Sequence, residues 1–284
     1  MPESTNSRIF TPGLLDGQVC IVSGAGTGLG KATALELTGL GATVIGCGRR
    51  TEPLEGMVEA VSARGGKAEF EALDIRDEEA VDGFIDGVVE RHGRIDLLVN
   101  NAGGQFLSPA EAITPKGFRT VIELNVQGTW QITHAAATKA FIPQESGKVI
   151  SITVSPHMGF PGMVHTGAAR AAVENMMRTL SVEWARFGIR MVAVAIGQFD
   201  TETLRTKYPK AIVENVANTV PLGRLGTEEE MAWLAAYLAS PAGDFFSGCV
   251  ITVDGARDNW FGQWPPGGAA GEGGEPLAEA RRKE

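Results

Sequence analysis

The octapeptide Ser23-Gly24-Ala25-Gly26-Thr27-Gly28-Leu29-Gly30 decides how this chain is to be read. It closes the apolar run Val19–Ser23 (VCIVS) and leads into a helix-like stretch from Lys31. Gly24, Gly28 and Gly30 stand at i, i+4 and i+6, whereas the commonest dinucleotide fingerprint uses i, i+2 and i+5. The physics is shared. Residues without Cβ let the backbone approach a pyrophosphate, and a helix N-terminus offers that anion free N–H groups and the positive end of its dipole. A Gly-rich turn alone also reads as a plain structural turn. Its place between a buried strand and a helix makes it a nucleotide loop.

On both sides of this loop the chain alternates between short apolar runs and longer helical stretches. The runs are Val19–Ser23, Thr43–Cys47, Ala68–Asp74, Ile95–Asn100, Lys148–Val154, Ile189–Ala195 and Cys249–Asp254. Helical spacing marks Lys31–Leu40, Leu54–Arg64, Glu78–His92, Lys116–Phe141, Ala168–Phe187 and Glu228–Leu238. Seven β-rich runs separated by helices predict an α/β fold, a parallel sheet with helices on both faces. Residues 1–12 read as a polar arm and 13–257 as one dinucleotide-binding catalytic domain. Residues 258–284 form a Trp-, Pro- and Gly-rich tail, and its aromatic front (Trp260, Phe261, Trp264) is expected to pack against protein.

A net charge of -9 argues against nucleic acid as a partner. Cys20, Cys47 and Cys249 have neither metal-ligand spacing nor the pattern of a disulfide framework, so no metal is expected and a reducing cytoplasm is the default compartment. No apolar run approaches the roughly 18 residues of a membrane span, and no secretory signal opens the sequence.

The second run ends in Gly46-Cys47-Gly48-Arg49-Arg50. An acid there would hold the ribose 2′-hydroxyl of NAD; an Arg suits the 2′-phosphate of NADP. The acid is absent, so Arg49 points to NADP(H) over NAD(H), the alternative being two solvated loop charges.

With this loop and Asn100-Asn101-Ala102-Gly103-Gly104 after the fourth run, the chain resembles the short-chain dehydrogenase/reductase family from about Gly13 to about Pro266. The resemblance implies a Rossmann-type, doubly wound seven-stranded sheet in a homotetramer or dimer. It assigns Ser23, Gly24, Gly28, Leu29, Gly30, Asn101, Ala102 and Gly103 to the cofactor, and Asp74-Ile75 to its adenine. Asn125 matches the family's helix Asn. Gly197 (after Ile196, in place of Pro) and Thr201 match the residues that close over the nicotinamide.

The catalytic positions depart from the family pattern. Its general-acid Tyr and the Lys four residues on fall on Thr166 and Arg170, and its Ser falls on Val154. Neither Tyr208 nor Tyr237 stands in that frame, whereas His165 does neighbour it. The stretches Gly103–Ile113, Gly159–Val173 and Thr11–Val19 resemble peroxisomal-type trans-2-enoyl-CoA reductases and are similar to 2,4-dienoyl-CoA reductases of fatty acid metabolism. Ketone reduction requires an acid at the carbonyl oxygen. Conjugate reduction of an enoyl thioester needs mainly donors for an enolate, each worth about 3 kcal/mol. The candidates are Thr166, Gln105 and backbone N–H groups near Gly104, with Asn125 nearby and Arg170 bonding the nicotinamide ribose as a fixed cation.

The expected activity is NADPH-dependent enoyl-thioester reduction. The alternatives are alcohol or carbonyl oxidoreduction, on terpenoid or other branched alcohols with His165 or water as the acid, and dinucleotide binding without turnover. Thr166 bonding within its own helix, and Arg170, Glu174 and Arg178 as a surface charge ladder, stay open as structural readings.

Overall fold

The computed structural model describes residues 8–260. Strands β1 (Val19–Ser23), β2 (Thr43–Gly48), β3 (Lys67–Ala72), β4 (Leu97–Asn100), β5 (Gly147–Val154), β6 (Ile189–Ile196) and β7 (Cys249–Val253) form one sheet in the order β3-β2-β1-β4-β5-β6-β7. Every pairing is parallel. Parallel neighbours need crossovers, and helices supply them. In chain order these are α1 (Gly28–Gly39), α2 (Thr51–Ser62), α3 (Glu78–His92), α4 (Pro115–Ile122), α5 (Gly128–Ala136), α6 (Ile142–Gln144), α7 (Val164–Glu183), α8 (Glu202–Lys207), α9 (Lys210–Asn215) and α10 (Glu228–Ala239).

Alternation along β1 divides the core. Val19 and Ile21 join a cluster with Phe84 and Ile85 of α3, Ile132 of α5 and Val173 and Met177 of α7. Cys20 and Val22 join the opposite cluster, with Leu37 of α1, Leu54 and Met57 of α2 and Met231 of α10. The central strands are therefore apolar on both faces, as a doubly covered parallel sheet demands. The chain leaves β1 for β2 and β3 on one side, then crosses back to β4 on the other. Outside the carboxyl ends of β1 and β4 lies the switch-point crevice where such sheets bind ligands.

Several elements differ from the sequence expectation, for identifiable reasons. β4 begins at Leu97 rather than Ile95, because the Gln144 side chain pairs both backbone groups of Ile95 (N to Oε1 3.0 Å, O to Nε2 2.7 Å) in place of a strand. β3 stops at Ala72, and beyond it the Asp74 carboxylate accepts the Arg76 N–H at 3.1 Å and turns the chain. Lys116–Phe141 is not one α-helix: π-turns at Glu123–Gln127 and Ala137–Phe141 separate α4, α5 and α6. α7 starts at Val164, four residues before the expected Ala168, so His165 and Thr166 occupy its first turn. The short helices α8 and α9 lie where no helix was expected.

The first part of the arm, and Phe261, Trp264 and the rest of the tail, lie outside the described residues. Among the described residues no helix is long and apolar enough to cross a membrane, and no group of three or more His, Cys, Asp or Glu is placed to hold a metal.

Candidate active site

The glycine loop is tied to the loop after β4 by two side chains. Ser23 Oγ accepts the N–H groups of Asn101 and Ala102, each at 3.0 Å, and donates to the Val99 carbonyl at 3.3 Å. Asn101 Nδ2 donates to the carbonyls of Ser23 (3.0 Å) and Gly24 (3.2 Å). The Asn101 amide group thus braces the loop itself. A Cβ on Gly30 would stand 2.2 Å from the Gly24 carbonyl oxygen, so no side chain fits where α1 meets the loop. Gly24 and Gly28 hold φ of 69° and 54°. Thr27 sits at the N-cap of α1 but its hydroxyl takes none of the first-turn N–H groups, which leaves them for an anion. Leu29 packs from the first turn against the α1–α2–α10 core.

At the far end of the crevice, Arg49 and Arg50 are exposed after β2. Asp74 is held by Arg76, whose Nε lies 3.0 and 3.1 Å from the two carboxylate oxygens and whose Nη2 lies 2.5 Å from Oδ2. The hydrogen-bonded Arg76 guanidinium keeps the Asp74 carboxyl below its ordinary pKa despite partial burial, and the charge of Arg49 adds to the effect. Two guanidinium groups therefore gather at Asp74. Arg76 was not among the residues expected at the site; its spacing two residues after Asp74 was the available signal. Ile75 is buried and would contact any Cβ placed on Gly128, at 2.8 Å.

The opposite end is built by the π-turn and α7. Asn125 is fully buried in the π-turn; its Nδ2 donates to the carbonyls of Val121 and Gly104, both at 2.8 Å, and its Oδ1 accepts the Gly104 N–H at 3.3 Å. The extra residue of a π-turn frees a helical carbonyl, and here Asn125 spans it to the loop after β4. Arg170 is buried, not part of a surface ladder, and its Nη1 donates to the Ile152 carbonyl at 2.9 Å. A Cβ on Gly103 would lie 2.3 Å from Arg170 Nη2 and 2.8 Å from Asn125 Oδ1. Burial pulls the guanidinium down to about 10, so it stays a cation at neutral pH, and its buried Nε has no partner among the described residues.

Thr166 does not bond a helical carbonyl. Its N–H donates to His165 Nδ1 at 2.8 Å, and its hydroxyl lies 3.2 Å from the same nitrogen. The same N–H also points at the Met163 carbonyl at 2.9 Å, and an Nδ1 that accepts it leaves the ring proton on Nε2. Nε2 is buried without a partner among the described residues, and the ring meets Phe106 edge-on at 4.3 Å. Burial holds the His165 pKa below its ordinary value, outweighing the Met163 backbone carbonyl, which as an acceptor favours the protonated ring, so the ring is neutral at pH 7.

Thr201 caps α8 by accepting the Leu204 N–H at 3.2 Å. A Cβ on Gly197 would meet Asp254 Cβ at 2.5 Å, which fixes that glycine by packing. Gln105 reaches the start of the α8–α9 segment, its Nε2 donating to the Tyr208 hydroxyl at 2.8 Å. A cluster not anticipated from sequence joins β5, α7 and the turn that follows β7. Buried Glu174 accepts from Thr153 Oγ1 at 2.9 Å and lies 3.1 Å from His157 Nε2, while His157 Nδ1 lies 2.5 Å from Asp258 Oδ2. Burial lowers the His157 pKa, but the Asp258 hydrogen bond and the charge of Glu174 outweigh it and raise the pKa above the ordinary value.

A parallel doubly wound sheet with an uncapped helix behind a glycine loop at its switch point defines a dinucleotide-binding oxidoreductase scaffold. Residues 24–256 match the family described as enoyl-(acyl carrier protein) reductase, and the chain belongs to the short-chain dehydrogenase/reductase family, whose members take nicotinamide dinucleotides. It is 36% identical over 252 residues to the peroxisomal 2,4-dienoyl-CoA reductase of Rattus norvegicus, covering 87% of this chain and 86% of that one. It is 34% identical to the 3-oxoacyl-[acyl-carrier-protein] reductase FabG of Thermotoga maritima, covering 85% of this chain and 98% of that one. Among solved structures it resembles the citronellol catabolism dehydrogenase AtuB of Pseudomonas aeruginosa, with TM-score 0.79 and 39% identity over 88% of this chain and 98% of the other.

Proposed function

We propose that this oxidoreductase uses NADPH to reduce the conjugated C=C bond of 2-enoyl thioesters. The observation that carries the reading is the first two turns of α7, where buried Thr166, neutral His165 and cationic Arg170 stand and no phenol does. A nicotinamide dinucleotide bound in the switch-point crevice supplies the hydride. The glycine loop and the open N-terminus of α1 receive its pyrophosphate, and Arg49 with Arg76 meet the 2′-phosphate. Arg170, fixed by Ile152, bonds the nicotinamide ribose and lends positive charge; it does not relay protons. Asn125 holds Gly104 in place so that the loop after β4 lines the reaction site.

As charge develops on the thioester oxygen, the neutral imidazole of His165 donates Nε2–H to it. Thr166 fixes the tautomer that makes this donation possible. The enolate then takes its Cα proton from water, so no side chain of pKa matched to a ketone's oxygen is required. A homo-oligomer, most simply a tetramer, is the assembly we infer from family membership.

The second reading is oxidation of branched or terpenoid alcohols, favoured by the 39% identity to the citronellol catabolism dehydrogenase. NADPH oxidation with a 2-enoyl-CoA, set against NADP-linked oxidation of citronellol, separates the two. On the first reading His165→Leu lowers kcat roughly 100- to 1000-fold while leaving NADPH affinity intact, the range for losing one oxyanion donor. Undiminished turnover in that variant would remove the His165–Thr166 pair from the mechanism.

A further inference from the structure

The turn into α10 brings one acid against the glycine loop. Gly226 pairs with the segment before α8: its N–H donates to the Gln198 carbonyl at 2.9 Å, and its carbonyl accepts the Asp200 N–H at 2.8 Å. Thr227 then starts α10 with a capping box, in which Glu230 accepts the Thr227 N–H at 2.8 Å. α10 packs on α1 in the core cluster that holds Met231 and Leu37. These contacts fix Glu228, the first residue of α10, beside Gly28, the first residue of α1. The nearest atom that a Cβ on Gly28 would meet is Glu228 Oε1, at 3.8 Å.

This acid is unspent. Glu230 is paired with Arg224 (2.6 and 2.9 Å) and Asp200 with Arg205 (2.5 Å). The partly buried Glu228 carboxylate has neither a hydrogen bond nor an ion pair among the described residues. Its charged neighbours are mostly of its own sign: Glu229 on α10, Asp200 and Glu202 at the approach to α8, and Arg205 as the opposing cation. The charged side chains of α1 are Lys31 and Glu36, and neither pairs with it. Burial first, then Glu229, hold its carboxyl above the ordinary pKa; Arg205 pulls the other way, and Asp200 and Glu202 add to the rise. The first turn of α1 attracts an anion. A second anion beside it is repelled, and partly buried charges are screened far less than exposed ones.

We infer that Glu228 limits this protein's hold on its dinucleotide: ionised, it repels the diphosphate from the glycine loop, and binding draws a proton onto its carboxyl. The arriving diphosphate disfavours the carboxylate further, so the complex holds more protons than the free protein and affinity falls as pH rises. The loss is complete above the carboxyl's pKa in the complex and absent below its pKa in the free protein. A weakened hold speeds the exchange of spent cofactor. The inference rests on the placing of the diphosphate at the glycine loop; it needs neither a preference for NADPH nor the enoyl reaction.

The test titrates NADP+ and, separately, NAD+ into the full-length native protein, Glu228→Gln and Glu229→Gln by calorimetry. Near pH ~8 Glu228→Gln is expected to bind both dinucleotides about tenfold more tightly than native. The factor is the same for both because both carry the same diphosphate. The gain shrinks toward pH ~5.5, as the native carboxyl takes up its proton. Comparing variant with native at each pH cancels the titration of the cofactor's own phosphate. Glu229→Gln removes an equal charge from an exposed side chain one residue on, and is expected to change affinity less than about threefold. Unchanged affinity in Glu228→Gln, an equal gain in Glu229→Gln, or a gain independent of pH would overturn the inference. Failure of all three proteins to bind either dinucleotide would instead remove the diphosphate site, and the inference with it.

Discussion

Replacing Gly103 by Ala asks whether the reaction end of the site is as tightly built as its geometry indicates. The new Cβ would lie 2.3 Å from Arg170 Nη2 and 2.8 Å from Asn125 Oδ1. An ordinary contact needs about 3.4 Å, so the guanidinium must withdraw by roughly 1 Å, enough to break a hydrogen bond. Arg170 is buried and its Nη1 bond to the Ile152 carbonyl is 2.9 Å long, so withdrawal gives up that bond. Hydrogen bonds to charged groups contribute about 1.5–3 kcal/mol. For a chain of this size, about 2 kcal/mol lowers Tm by roughly 4–8 °C. A displacement near 1 Å at a reacting centre also costs turnover about 100-fold. Scanning calorimetry on the cofactor-free protein reads the first effect without needing a substrate. The double variant Gly103→Ala/Arg170→Gln is expected to be little worse than Arg170→Gln alone, since the clash and the lost bond are one event. A Tm within about 1 °C of native for Gly103→Ala, or simple additivity in the cycle, would refute the claim that Arg170 is pinned against the loop after β4.

Two further outcomes follow from the charged groups. Arg49→Ala and Arg76→Ala are each expected to weaken NADPH binding roughly tenfold, about 1.4 kcal/mol, with little change for NADH; fluorescence titration checks both, and equal losses for the two cofactors would argue against a 2′-phosphate site. The pKa of His157 is raised in the fold, so its clasp of Glu174 and Asp258 stabilises fully below the ordinary His value and is lost as pH rises through the raised one. With Arg178 3.9 Å from Glu174 as the other charge nearby, the Tm deficit of His157→Gln should be largest near pH ~6 and shrink toward pH ~9; a deficit that grows with pH would reverse the assignment of charge.

The scaffold was legible because its determinants are local. Short continuous apolar runs between helical stretches, the glycine loop and the position of Asn100–Gly104 each report on adjacent residues, and they fixed the sheet and the crevice. Misplaced boundaries trace to side chains acting at a distance, as when Gln144 satisfies the backbone of Ile95 from 49 residues away. The missing phenol could also be read directly, since it is an identity at one helical position. What replaces it could not. The His165 tautomer is set by the helix starting at Val164, and the Glu174–His157–Asp258 chain joins residues up to 101 positions apart. Nor does sequence alone show that Thr201 is spent as a helix cap, or that Asn101 is spent bracing Ser23 and Gly24.

The most direct test of the central claim follows the hydride itself. The protein is incubated with a 2-enoyl-CoA, a 3-ketoacyl-CoA and citronellal in separate reactions, each with NADPH deuterated at the nicotinamide C4, and the products are analysed by mass spectrometry. The expected result is a saturated acyl thioester labelled at Cβ from the enoyl substrate, with little or no label delivered to the carbonyl carbon of the other two. Deuterium on a carbinol carbon, with the enoyl thioester returned unchanged, would show that another acid replaces the absent tyrosine and would contradict the account.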